Sequence, residues 1–231
     1  TDNEDPLTYA YLDYLSTVIA PAKVQTFDPG IGFYDLCNKT HRFPGTKSRF
    51  CTEQLKILPK HRMFATMIED GEIPLNVTGV RTAEAHNSND RGSAVLWDMD
   101  VFRMGATERE QLFGIKEKRD YFLDVCRPIV AWSLDEVWQM HRQHMSMDAV
   151  ISLVEQDQEL EHKDEIIDAM RKHGTPFNPL YAMGAVRVGC FPCINSRKAE
   201  IRAMARHRPK RVDFVREMER YVGENQNGAD I

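Results

Sequence analysis

The residues best suited to chemistry in this sequence are two cysteines three positions apart, Cys190-Phe-Pro-Cys193. Gly189 before the first and Pro192 inside the pair predict a tight knuckle that can aim both sulfurs at one metal centre. Taken alone, the pattern reads as half a zinc site, half an iron–sulfur site, a redox dithiol, or two buried small residues. Three more cysteines, Cys37, Cys51 and Cys126, are scattered, and the total of five is odd. A chain of 231 residues does not need disulfides to fold, so the pattern suits metal-binding or reactive thiols in a reducing compartment. Cys51 falls near the start of a helix expected over Ser48–Leu58, where the positive end of the helix favours thiolate over thiol.

A second group of candidates follows an expected strand. Leu75–Val80 is an apolar, β-branched run that reads as buried, and Arg81 and Glu84 come directly after it. In a parallel α/β sheet, ligands bind at the carboxyl ends of strands, which is where a nucleotide would meet these two side chains. Their bland reading is a mutual ion pair three residues apart. A third group is basic. From Asn195 to Arg211 there are seven cations, Arg197, Lys198, Arg202, Arg206, Arg208, Lys210 and Arg211, against one acid, Glu200. Such a run could track a phosphate backbone or simply form a solvated helix face.

The elements expected to carry these groups alternate at first and are then mostly helical. A helix from Pro6 to about Pro21, a strand over Lys23–Phe27, a short helix over Phe33–Asn38 and helices over Ser48–Leu58 and Lys60–Glu69 precede the Leu75–Val80 strand. Ser93–Glu117 reads partly as loop, and Tyr121–Val130 as another strand. Ser133 is a good N-cap for a helix running to His144. Met147–His173 reads as a charged, solvated helical hairpin, and helices over Ser196–His207 and Pro209–Val222 follow the knuckle. The expectation is α/β: a parallel sheet flanked by helices in residues 1–132, and a mostly helical part, 133–231, bearing the knuckle.

Composition narrows the classes. The apolar share of 42% is ordinary for a folded domain, and a net charge of -5 excludes a globally basic nucleic-acid coat while leaving room for a local basic patch. No window approaches the roughly 20 apolar residues that span a bilayer, and no signal peptide is visible. The expectation is a soluble, cytoplasmic protein without membrane partners.

Five segments taken in order resemble a known family. Thr1-x-x-Glu4-x-Pro6-x-Thr8, Lys47-x-x-x-Cys51-Thr-x-x-x-Lys56, Gly79-x-Arg81-x-x-Glu84, Arg127-Pro-Ile-x-x-Trp132-Ser-x-x-x-Val137-Trp138 and Asn178-Pro-Leu-Tyr-x-x-Gly-x-x-Arg187-x-Gly-Cys-x-x-Cys193 are similar to the phosphoadenosine-phosphosulfate (PAPS) reductase superfamily. That superfamily belongs to the adenine-nucleotide α-hydrolase-like folds and includes the iron–sulfur sulfur-transfer proteins of DNA phosphorothioation. The resemblance implies that Cys51, Cys190 and Cys193 converge on a [4Fe-4S] cluster, with zinc as the alternative. It also implies that Arg81, Glu84, Arg91, Lys47 and Lys56 lie near an adenine nucleotide, either ATP or PAPS/APS. A fourth ligand position could fall to Cys126, Cys37 or His41, or stay open and hold a sulfide.

Two features depart from the family pattern. Its phosphate-binding loop after the first strand is absent and, in relatives, lies upstream of the point matching Thr1, so the N-terminal strand and loop are expected to be missing from this chain. The C-terminal nucleophilic cysteine of sulfonucleotide reductases has no counterpart after Cys193. The leading expectation is therefore ATP-dependent sulfur transfer to a nucleic acid or nucleotide, with a sulfur donor protein as a further partner. The rivals are a PAPS/APS reductase releasing sulfite, and a non-catalytic nucleotide-binding subunit with a structural metal.

Overall fold

The structure is a computed structural model that describes residues 3–19, 24–45, 47–79, 95–133, 135–137, 139, 147–175, 177–185, 188–193 and 196–224. It divides into two compact units, Thr1–Pro59 with His141–Ile231, and Lys60–Met140. The N-terminal segment thus folds with the C-terminal one, and the boundary expected at 132/133 is replaced by a discontinuous unit and an inserted one.

The first unit starts at helix α1 (Pro6–Val18). Asp5 caps it by accepting from the Leu7 N–H, and Pro6 supplies a φ already suited to the first helical position. Leu7, Ala10 and Tyr14, spaced three and four apart, turn one face inward. That face meets helices α6 (Asp148–Gln156) and α7 (Lys163–His173), whose Val150, Val154, Ile166, Ile167 and Met170 are all buried. The expected solvated hairpin is therefore two amphipathic helices that supply the main core; its charged composition hid a regular apolar stripe. The buried charges are paired. Arg208 Nε donates to Asp5 Oδ2 at 3.0 Å, and the two side chains are 3% and 0% exposed.

A second cluster joins helix α2 (Phe33–Thr40) to helix α9 (Pro209–Glu224) through Phe33, Tyr34, Leu36, Cys37, Leu55 and Val222. Between α2 and helix α4 (Leu58–Glu69), the short helix α3 (Phe50–Thr52) runs into a π-turn over Glu53–Ile57, closed by the Leu58 N–H on the Glu53 carbonyl. Pro59 explains the widening: it has no N–H, and its ring would collide with the carbonyl four residues back in a regular α-helix. Helix α8 (Lys198–His207) precedes α9.

The second unit holds a mixed three-stranded sheet, ordered β1 (Leu75–Val77), β3 (Arg119–Cys126), β2 (Trp97–Met104). β1 pairs parallel with β3, whereas β2 pairs antiparallel from Trp97 opposite Cys126 to Met104 opposite Arg119. The structure is thus mixed α/β, as expected, but its described sheet is small and carries an antiparallel pair where an all-parallel sheet was expected. One face packs Phe102, Met104, Tyr121 and Leu123 on Phe64 and Ala65 of α4. On the other face Trp97, Met99, Val101 and Phe122 are more than half exposed, and so is Val77 of β1, the strand expected to be buried. β2 and helix α5 (Ala106–Phe113) fill the stretch expected to be partly loop. Residues 24–27 form no strand. Among the described residues no helix is long and apolar enough to cross a membrane.

Candidate functional site

The knuckle is held from three sides of the first unit. Glu4 forms an antiparallel bridge with Cys190, and the Phe191 N–H donates to the Asn3 carbonyl at 2.7 Å. Arg211 Nε donates to the Phe191 carbonyl at 2.8 Å, with its guanidinium 4.3 Å from the centre of the Phe214 ring. The Cys193 N–H donates to Ser196 Oγ, so the turn into α8 supports the second cysteine. Upstream, Asn178 accepts from the Leu180 N–H and donates to Thr8 Oγ1, which makes it a buried fastener of the 3-10 turn Pro179–Tyr181 onto α1. Gly184 has φ +97, and a Cβ there would stand 3.1 Å from Ala203 Cβ of α8. The backbone angle calls for glycine, and the close approach leaves a side chain little room.

Cys190 and Cys193 open on a pocket of 160 Å³ that also receives Lys56, Ser196, Glu200 and Ile201. Burial pushes the Cys190 thiol up, Lys56 pulls it down, and the charges of Glu4, Cys193 and Cys51 push it up again. Cys51, on α3, belongs to the same unit, half-buried against the cluster that joins α2 to α9, and is not among the side chains that line the pocket. Lys56 reaches the pocket from the π-turn. Lys56 Nζ ends 3.9 Å from where a Cβ on Gly189 would sit.

Cys51, Lys56, Cys190 and Cys193 thus all belong to the first unit. Thiolates are the ligand type chosen by zinc and by iron–sulfur clusters, so the donor chemistry fits either group, with one ligand fewer than a closed four-cysteine site. Among the described residues, no three His, Cys, Asp or Glu side chains form a group that could hold a single metal ion. Cys37 is fully buried in α2, and Cys126 lies at the end of β3 in the second unit. His41 is an exposed left-handed residue ending α2. Lys47 is exposed beside the bridge between Gly45 and Ser48. Arg81, Glu84, Arg91 and Arg187 lie outside the described residues.

The basic run divides. Arg208 is consumed by Asp5, Arg211 by the knuckle carbonyl and Asn3, and Lys210 pairs with Glu159 at 3.5 Å. The Arg197 N–H donates to Glu200 Oε2 at the start of α8. Lys198, Arg202 and Arg206 stay exposed. Sequence reasoning missed Asn3, Ser196 and Arg211 as supports of the knuckle. Asn3 sits inside a motif already singled out, whereas Arg211 was grouped by charge with its neighbours.

Fold and site together define a mixed α/β protein with a thiol pocket assembled from distant parts of the chain. No family model matches it, and no solved structure matches it. It is 28% identical over 194 residues to an uncharacterized 37.8 kDa protein in the gpa 5' region of Escherichia phage 186. The match takes in 84% of this chain but 44% of that relative, so the chain spans less than half the length of the protein it resembles.

Proposed function

We propose that this chain is the thiolate-bearing part of a PAPS-reductase-like iron–sulfur protein that transfers sulfur, at the expense of ATP, to a nucleic acid or nucleotide. The observation that supports the reading is the thiol pair of Cys190 and Cys193 opening on a pocket that Lys56, from the stretch that also carries Cys51, helps to line. Cys51, Cys190 and Cys193 would hold a [4Fe-4S] cluster, which when bound supplies sulfur or electrons at the pocket. Lys56 places a positive charge where an anionic group of the acceptor would enter. Ser196, Asn3 and Arg211 hold the knuckle backbone, so the two sulfurs keep their orientation when an acceptor binds. Adenylation of the acceptor would provide the leaving group; Arg81, Glu84, Arg91 and Lys47 remain the nucleotide candidates. Five free cysteines suit a reducing, cytoplasmic setting and a sulfur donor protein as partner.

The full burial of Cys37 weighs against its serving as the accessible nucleophilic thiol that the sulfite-forming alternative needs. The test is anaerobically reconstituted protein given ATP, sulfide and an oligonucleotide. Pyrophosphate release with sulfur bound to the acceptor is expected. Sulfite release from PAPS or APS with thioredoxin, without pyrophosphate release from ATP, would replace this reading by the reductase.

A further inference from the structure

Helix α8 does two things at once. Its Ser196-to-Met204 side lines the thiol pocket, with Glu200 and Met204 buried. Its outer side carries Lys198, Arg202 and Arg206, four residues apart and therefore in one row, each about 6 Å further along the axis. All three are exposed, and among the described residues none makes an ion pair, whereas Arg208, Lys210, Arg216 and Arg220 each have an acidic partner. In a chain of net charge -5, this row is a local feature and not an expression of general basicity.

We infer that Lys198, Arg202 and Arg206 form a phosphate-tracking ridge on which a single strand of nucleic acid lies, with Ile201 at the border between ridge and pocket. This rests on the acceptor class of the sulfur-transfer reading and gives it a surface. Three cations at one-turn intervals match an unstacked strand, which spreads its phosphates beyond the 3.4 Å axial step of a stacked one. α8 carries no Phe, Tyr or Trp on which bases could stack, so the contact reads backbone charge and not sequence. A strand held on the ridge passes within one helix face of Cys190 and Cys193, which is where an acceptor has to arrive.

The test is fluorescence anisotropy of the full, metal-free chain with a labelled oligodeoxythymidylate across a salt series. Three phosphate contacts predict a slope of log affinity against log salt near -2, or about a twentyfold loss for a fourfold rise in salt. Arg202→Gln should flatten the slope by about 0.7, and the triple variant K198Q/R202Q/R206Q should bring it close to zero. Gln keeps the helix propensity, and circular dichroism checks that the fold persists. Arg216→Gln, whose partner is Asp213, should leave the slope unchanged. Wild-type binding by the triple variant, an equal loss in Arg216→Gln, or binding to phosphatidylserine vesicles without binding to the oligonucleotide overturns the ridge. Because no metal is needed, this outcome is independent of the thiol centre: wild-type protein that binds the strand with the expected salt slope but fails to transfer sulfur would count against the sulfur-transfer reading alone.

Discussion

Replacing Asp5 by Asn isolates one charge in the deepest ion pair of the first unit. The Asp5 side chain is 0% exposed, caps α1 through the Leu7 N–H and accepts from Arg208, itself 3% exposed. Asn has nearly the same volume and is as good an N-cap, so the cap survives and the loss falls on the charge. Removing one partner of a buried pair costs about 3–5 kcal/mol, because the remaining guanidinium is left without its counter-charge in a dry site. With a urea m-value of about 2 kcal/mol per molar, the midpoint should fall by about 2 M. The assay is urea unfolding followed by far-ultraviolet circular dichroism, with Asp213→Asn as the surface control, since Asp213 pairs with Arg216 in solvent. A companion variant, Asp5→Leu with Arg208→Met, replaces both charges by apolar groups and should recover most of the loss. A midpoint shift no larger than that of Asp213→Asn would refute the reasoning. So would a double variant as unstable as the single one.

Two other outcomes depend on pH. Glu69 is held below the usual carboxylate range, first by the Tyr121 hydroxyl and then by Arg109 and Arg119. A depressed carboxyl contributes stability that is complete above its unfolded value and is lost as pH falls through its folded one. Tryptophan fluorescence, whose described reporters Trp97 and Trp132 belong to the second unit, should therefore show acid unfolding that is less steep in Glu69→Gln; an identical acid limb would contradict this. Tyr11 is pushed up to about 12, first by burial and then by Tyr14 and Tyr181. The stability it contributes is intact below about 10, the value in the unfolded chain, and is lost as pH rises toward the folded value. Tyr11→Phe should remove that alkaline loss in circular-dichroism melts run at increasing pH, and an unchanged slope would contradict it.

How much of this was legible in the sequence follows from how local each signal is. Pro6 with its apolar spacing, the helices on either side of Pro209 and the Ser133 N-cap were readable because their causes lie within one or two turns. β2 was not, because Trp97, Met99 and Val101 put apolar groups on the exposed face while Phe102 and Met104 put them on the buried one, which blurs the alternation. Leu75–Val80 looked buried because β-branched and apolar residues are the usual mark of an inner strand, yet its strand Leu75–Val77 lies at the edge of the described sheet. At the candidate site the Cys190–Cys193 knuckle was visible from spacing. The grip of Asn3 and Arg211 on it was not, since those bonds span 188 and 20 positions and no local pattern encodes them. The π-turn could have been anticipated from Pro59 eight residues after Cys51, inside a stretch otherwise helical on both sides.

The central claim concerns the three thiols, and the most direct measurement is iron, zinc and acid-labile sulfide on anaerobically prepared wild-type and Cys51→Ser protein. The account predicts iron and sulfide in equal amounts in the wild type, and their loss from Cys51→Ser with the helical circular-dichroism signal retained. Zinc in place of iron and sulfide, or a full complement of iron and sulfide in Cys51→Ser, would contradict it.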